Sequence, residues 1–110
     1  MDKIKISKVE VQKNHNDRVS IFVDDNYFAS MYLDTAVKYG IKKDLEIEEE
    51  TLKNYILESE KHLAFDKAVN YQNSAFKTKK QIRDYLNKKS YDKLVVDYVI
   101  NKMEEYGFLN

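Results

Sequence analysis

The sequence predicts an α+β protein in which a three-stranded antiparallel β-meander precedes a helical region that ends in a three-helix unit. Three observations support this: apolar residues alternate with period two in the first third, helical spacing begins at Glu48, and a helix-capping signal stands at Thr78. We divide the chain into a β module with a short helix over residues 1–47 and a helical region over residues 48–110. Residues 61–110 of that region form the three-helix unit.

Apolar and polar residues alternate in three runs, each of which predicts a strand. The phase of the first run slips near residues 7–8, which indicates a β-bulge. The second and third runs cover residues 19–24 and 27–32, after a first turn at 14–17. Residues 25–26, Asp-Asn, tolerate positive φ and predict the tight turn of the second hairpin. Three strands alone are marginally stable, so we expect a helix to cover one face.

Two helical segments follow the strands. Asp34 predicts the N-cap of a short helix that ends at Gly40, and the acids at 48–50 suit the start of the next helix. That helix carries an apolar stripe of Leu52, Tyr55, Ile56, Leu63, Ala64, Ala68 and Tyr71. The stripe drifts around residues 59–60, which indicates either one long bent helix or two consecutive helices.

The last third begins with a basic helix. Thr78 and Gln81 stand three residues apart and predict a capping box. The buried stripe of this helix is predicted at Ile82, Tyr85 and Leu86. The other side and the flanks carry the residues that we predict to bind a partner or nucleic acid, namely Lys77, Lys79, Lys80, Arg83, Lys88 and Lys89.

A final helix is predicted between Tyr91 and Tyr106. Ser90 or Asp92 can cap its start, and Gly107 followed by Phe108 predicts its end. Four tyrosines of the last third fall on the apolar stripes: Tyr85, Tyr91, Tyr98 and Tyr106. We interpret them as core residues with a hydroxyl at the edge, and not as platforms for stacked bases.

The composition argues against an enzyme. The chain has no cysteine, only two histidines and only two glycines, so thiolate chemistry and a glycine-rich phosphate loop are excluded. His15 and His62 lie far apart in sequence and are expected at the surface, without a metal. We expect no cofactor. Since no apolar run is long enough for a membrane span or a signal peptide, we expect a cytoplasmic protein with no membrane contact.

The charges of this net-neutral chain are unevenly distributed. Residues 44–60 contain seven acids and one lysine, while residues 77–93 contain seven bases and two acids. Such a dipole can orient association with a charged partner, although solvated helix faces in a lysine-rich chain produce the same pattern. The chain has only two arginines, Arg18 and Arg83, which argues against bidentate recognition of phosphate or guanine.

The segment 78–91, followed by the exit Tyr106-Gly107-Phe108-Leu109-Asn110, resembles the helical repeat of the RecX family. The N-terminal pattern of residues 4–6, 18–24 and 39–43 is similar to the leader region of Gram-positive members. The resemblance implies a bacterial regulator that binds the RecA recombinase filament and usually inhibits it, modulating recombination and the SOS response. The basic helix would then face an acidic protein surface, and it can also contact DNA phosphates.

The chain departs from the family pattern in three places. Residues 71–78 lack the two arginines common in this segment of the family, so their role passes at best to Lys77. Ser90 replaces the turn glycine. Family members generally carry three such repeats, whereas this chain stops after one, which indicates a truncated or unusually short member. We therefore expect either a homodimer through the C-terminal helices, with Phe108 and Leu109 exposed, or weaker filament binding than that of a longer form.

A helix-turn-helix-like DNA-binding module with the sheet as a wing is the alternative. In that interpretation the helix from Thr78 or the helix from Tyr91 would read DNA. The second of these carries Asp97, Glu104 and Glu105 beside its lysines and suits the major groove poorly. The first offers only Gln81 and Asn87 for base contacts, with a single arginine.

Overall fold

The structure, a computed structural model, describes residues 2–109. In chain order its elements are β1 (Lys3–Val11), β2 (Arg18–Val23), β3 (Asn26–Tyr32), α1 (Leu33–Lys38), β4 (Glu46–Glu48), α2 (Glu49–Ser74), α3 (Lys79–Lys88) and α4 (Lys93–Glu105). The chain forms two compact units. The N-terminal unit ends at Ser59 and the C-terminal unit begins at Glu60, both within α2.

The N-terminal unit contains an antiparallel sheet with strand order β3-β2-β1-β4. The three predicted strands are confirmed, and the register of β1 shifts between Ile6 and Lys8, where the bulge was predicted. The sheet also contains a fourth strand that was not predicted, the short strand β4, which pairs with the start of β1. A run of three residues is too short to show alternation, so β4 could not be recognised from its own sequence.

The hairpin turn between β2 and β3 lies one residue earlier than predicted. Asp24 and Asp25 adopt positive φ values of 53° and 61°, and Val23 pairs with Asn26, the first residue of β3. Two central residues with positive φ define the primed turn that matches strand twist. Because aspartate and asparagine both tolerate this conformation, the sequence alone did not fix which pair occupies it.

The prediction that Asp34 caps α1 is wrong. The helix begins at Leu33, and Asp34 lies in its first turn. The Leu33 amide donates to the carbonyl of Asp17 at 2.8 Å, so a backbone group outside the helix satisfies this donor in place of a side-chain cap. Gly40 has φ 66° and follows the end of the helix as predicted.

The core of the N-terminal unit is apolar and α1 lies against β2 and β3. Its buried apolar residues are Ile6, Val19, Ile21, Ala29, Met31, Ala36, Ile41, Leu52 and Ile56. Two polar residues, Arg18 and Ser30, are buried beside them, and the Arg18 guanidinium donates to the Ser30 hydroxyl at 3.4 Å. The Tyr39 and Tyr55 rings stack with centroids 3.9 Å apart, which connects the end of α1 to the first part of α2.

Helix α2 is a single helix of 26 residues and begins at Glu49, one residue after the predicted start. Its buried positions recur every four residues, at Leu52, Ile56, Glu60, Ala64 and Ala68. Leu63, which was predicted on the stripe, is 46% exposed. A residue one position before Ala64 is turned about 100° around the helix from the buried row, so this prediction is wrong.

The C-terminal unit packs α3 against α4 and includes the second part of α2. Asp92 caps α4 by accepting from the Leu94 amide at 3.1 Å, while Ser90 adopts φ 69° in the preceding turn. After α4 the Phe108 amide donates to the Met103 carbonyl at 2.8 Å, and Gly107 has φ 77°, as the predicted C-terminal stop requires.

The buried residues of this unit are Ala64, Ala68, Ile82, Leu86, Tyr91, Val95, Val96, Val99, Ile100, Met103 and Leu109, with Glu60 at its start. The expected exposure of Leu109 is wrong, because only 9% of this residue is accessible. Phe108 is 39% exposed, as expected. Within residues 2–109, no helix has the length and apolar character needed to span a membrane.

Candidate partner-binding surface

The start of α3 is fixed by the predicted capping box. The Thr78 hydroxyl accepts from the Gln81 amide at 3.1 Å, and the Gln81 side-chain oxygen accepts from the Thr78 amide at 2.8 Å. Ile82 and Leu86 are fully buried on one side of the helix, as predicted. Together these contacts fix the rotation of α3 and direct its basic side chains away from the core.

Three of the predicted binding residues are engaged with carboxylates. Lys79 pairs with Glu104 at 3.0 Å, Lys80 with Asp84 at 3.0 Å and Arg83 with Asp97 at 2.9 Å. Pairs this exposed contribute little to stability, but each carboxylate cancels the positive charge beside it. These positions therefore present a much weaker positive field than the sequence indicates.

The other three predicted residues, Lys77, Lys88 and Lys89, carry the net positive charge of this surface. Within residues 2–109, no carboxylate lies within 4.0 Å of their ammonium groups. Two of them lie on tyrosines instead: the Lys77 ammonium is 4.6 Å from the Tyr71 ring centroid, and the Lys89 ammonium is 5.6 Å from that of Tyr85. The six predicted residues thus divide into a paired set and a set beside tyrosines.

Tyr71 of α2 and Tyr85 of α3 form a stacked pair, with ring centroids 4.2 Å apart and ring planes 6° from parallel. An open groove of about 810 Å³ runs beside this pair. Its lining is mixed in character and consists of Tyr71, Gln81, Asp84, Tyr85, Asn87 and Lys88. We name Lys77, Lys88 and Lys89, with the two stacked tyrosines, the lysine-tyrosine surface. It offers cation and hydrogen-bonding groups for a negatively charged partner.

The tyrosines predicted as core residues differ in burial. Tyr91 is buried, and Tyr85 and Tyr98 are half-buried. Tyr106 is 59% exposed, so its assignment to the core is wrong. Tyr106 follows α4 as its C-cap, where the helix ends, and its ring packs edge-on against Phe65 with centroids 5.8 Å apart.

A second cluster of aromatic rings lies at the end of α4. Phe108 is within 6.3 Å of both Phe65 and Tyr106, measured between ring centroids, and the Gln72 side-chain amide donates to its carbonyl at 3.0 Å. Lys102 borders this cluster, and the neighbouring Glu105 carboxylate raises the pKa of its ammonium group.

Phe76, which was not among the predicted binding residues, lies in the loop between α2 and α3 and is 79% exposed. The one indication in the sequence is that Phe76 is a large apolar residue outside every helical stripe and is followed by a lysine. The structure also shows no group of three or more metal-ligating side chains anywhere in residues 2–109.

Comparison with known proteins identifies relatives over nearly the whole chain. Residues 4–48 match the family model described as the regulatory protein RecX N-terminal domain. The chain is 35% identical to a regulatory protein RecX of Clostridium botulinum, 34% to that of Clostridioides difficile and 31% to that of Bacillus velezensis. These matches cover 96% of this chain but only 50%, 49% and 40% of the respective relatives. The chain therefore spans half or less of these relatives' length.

A solved structure has a similar fold. The crystal structure of regulatory protein RecX superposes with a TM-score of 0.50 at 20% identity, over 97% of this chain and 52% of that one. The likeness supports the α+β fold in which an antiparallel sheet precedes the helices.

Proposed function

This chain belongs to the RecX family of regulatory proteins, and we propose that it binds the RecA recombinase filament and modulates recombination and SOS activity, in the direction of inhibition. The family match carries this proposal. A regulator of the recombinase would act in the bacterial cytoplasm. The proposal assigns no catalytic role to the chain.

The lysine-tyrosine surface is our proposed contact region. Among residues 2–109, Lys77, Lys88 and Lys89 are the basic residues of the predicted site that have no carboxylate within 4.0 Å, so they are the ones that can attract a negatively charged partner surface. Rim charges of this kind raise the association rate and make it salt-dependent. Auxiliary contacts with DNA phosphates would use the same three ammonium groups.

The helix-turn-helix alternative has weaker support. Lys79, Lys80 and Arg83 would have to contact phosphates, yet each already has a carboxylate within 3.0 Å. In α4, Lys102 is paired with Glu105 at 3.4 Å, and Asp97 and Glu104 stand on the same helix. Carboxylates this near repel a phosphate backbone.

Strand exchange by RecA in the presence of increasing amounts of the chain tests the proposed function. We expect the chain to cosediment with filaments on single-stranded DNA at moderate salt and to slow both strand exchange and ATP turnover. Sequence-selective duplex binding without any effect on the filament would instead support the alternative.

Self-association through the C-terminal helices is a second proposed contact of the chain. Tyr106 and Phe108 expose 59% and 39% of their surface at the end of α4, and together with Phe65 they form one aromatic cluster. Exposed apolar clusters of this kind mark contact sites on soluble proteins.

A further inference from the structure

Phe76 is the most exposed of the large hydrophobic residues in the part of the chain that the structure describes, at 79%. It lies in the loop 75–78 between α2 and α3, outside the core of the unit. An isolated exposed leucine or valine is ordinary on a protein surface, but an aromatic ring held out on a loop supplies a large apolar area to a partner.

The loop that carries Phe76 is held on both sides. The Ser74 hydroxyl donates to the Tyr71 carbonyl at 2.8 Å, and the Lys77 ammonium donates to the Ala75 carbonyl at 3.2 Å. The capping box fixes Thr78 immediately after it. A ring presented from a fixed loop loses less conformational freedom on binding than one on a mobile segment.

Lysine side chains line a hollow beside the ring. A hollow of about 290 Å³ beside it is lined by Phe76 together with residues 77–80. Lys77 follows Phe76 directly and has no carboxylate within 4.0 Å among residues 2–109, while the Lys80 side chain is 84% exposed. Because Lys79 and Lys80 are paired with carboxylates, Lys77 supplies the positive charge beside the ring that no carboxylate among residues 2–109 cancels. An apolar ring with such an ammonium group beside it is complementary to an apolar pocket with an acidic group at its rim.

The same contacts favour a protein over a nucleic acid as the occupant. The backbone amides of Thr78 and Gln81 at the start of α3 already donate hydrogen bonds within the capping box, so they are not available to bind a phosphate. A phosphate backbone carries negative charge along its whole length, so it would also have to approach Glu104 and Asp84, the carboxylates paired with Lys79 and Lys80. A protein surface can accommodate such mixed charge.

We propose that Phe76 is the apolar anchor of a protein-docking surface, and that it enters an apolar pocket on the partner whose rim places a carboxylate against Lys77. This inference rests on the proposed function, since the partner is then the recombinase filament. Anchors of this type account for a large share of binding free energy, whereas the residues around them contribute little.

The test is the affinity of the 110-residue chain for RecA filaments on single-stranded DNA, measured for wild type, Phe76→Ala and Leu63→Ala. Leu63 is a matched control because it is an exposed apolar residue of the same unit. We expect Phe76→Ala to weaken binding at least tenfold and Leu63→Ala to change it less than twofold. Lys77→Gln should weaken binding by a smaller factor and reduce its salt dependence, whereas Lys13→Gln should not.

The outcomes separate the two proposals. If wild type binds the filament and Phe76→Ala binds equally well, the docking inference is wrong while the proposed function stands. If wild type itself does not bind, the proposed function fails and the anchor assignment fails with it. If Phe76→Ala weakens binding to a bare oligothymidine by the same factor as to the filament, the ring contacts nucleic acid and the inference is overturned. Thermal unfolding of each variant confirms that the fold is retained.

Discussion

The rings of Tyr71 and Tyr85 stack face to face, with centroids 4.2 Å apart, and connect the end of α2 to the middle of α3. No ammonium group fits between rings this close, so Lys77 and Lys89 lie toward the outer faces. The tyrosines therefore position two lysines of the proposed contact region. The stack covers one face of each ring, so that face cannot receive a stacked base.

We predict that Tyr71 and Tyr85 are energetically coupled. In a double-mutant cycle, Tyr71→Ala and Tyr85→Ala should show a coupling free energy of about 1 kcal/mol, because the stacked geometry contributes beyond the area that each ring buries. Urea unfolding of the four proteins measures it. Strictly additive losses would mean that the rings are neighbours without a specific interaction.

Ser90 is predicted to store backbone strain. It adopts φ 69°, where a side chain meets the following carbonyl, and only glycine is free of that contact. Ser90→Gly should therefore be more stable than Ser90→Ala by about 1 kcal/mol. The alanine variant is the matched control, since both changes remove the hydroxyl. Equal unfolding free energies for the two variants would contradict the strain argument.

Several features set by neighbouring residues were predicted from the sequence, whereas those set by distant residues were not. The capping box at Thr78, the stop at Gly107 and the bulge near Ser7 depend on residues within a few positions, and each was predicted. The ion pair between Lys79 and Glu104 joins residues 25 positions apart. Only the packing of α3 on α4 brings them together, so the sequence predicted a basic helix and did not reveal this ion pair.

Strand β4 and the exposure of Phe76 also could not be predicted from the local sequence. Strand β4 forms because β1 offers an unpaired edge, which no property of Glu46–Glu48 reveals. Phe76 is apolar and would be assigned to the core by composition alone, and only the path of the loop shows that it is exposed.

Charge reversal should separate the two sets of basic residues. We predict that Lys77→Glu, Lys88→Glu and Lys89→Glu combined weaken filament binding at least tenfold at low salt, with little change in stability, because these side chains have no carboxylate partners among residues 2–109. The matched variant replaces Lys79, Lys80 and Arg83 with glutamate.

In the matched variant, three glutamates face Glu104, Asp84 and Asp97, so we expect a loss of about 1–2 kcal/mol in unfolding free energy and a smaller loss of binding. Affinity titrations and urea unfolding of both triple variants check the prediction. A larger binding defect in the Lys79/Lys80/Arg83 variant would move the contact region to the paired face.

Self-association is expected to depend on the aromatic cluster at the end of α4. Sedimentation equilibrium over a concentration series should show a monomer–dimer equilibrium that Phe108→Ser shifts toward monomer, because the serine removes exposed apolar area at that cluster. Val37→Ser, at an exposed apolar position of the N-terminal unit, is the control. A monomer at every concentration would exclude the proposed dimer.

The most direct test of filament recognition compares one labelled chain against two targets at equal nucleotide concentration. Fluorescence anisotropy would follow binding to RecA assembled on single-stranded DNA and to the same DNA without RecA. We expect saturable binding to the filament at chain concentrations that leave the bare DNA unbound. Equal affinity for both targets, or binding to the bare DNA alone, would contradict this expectation.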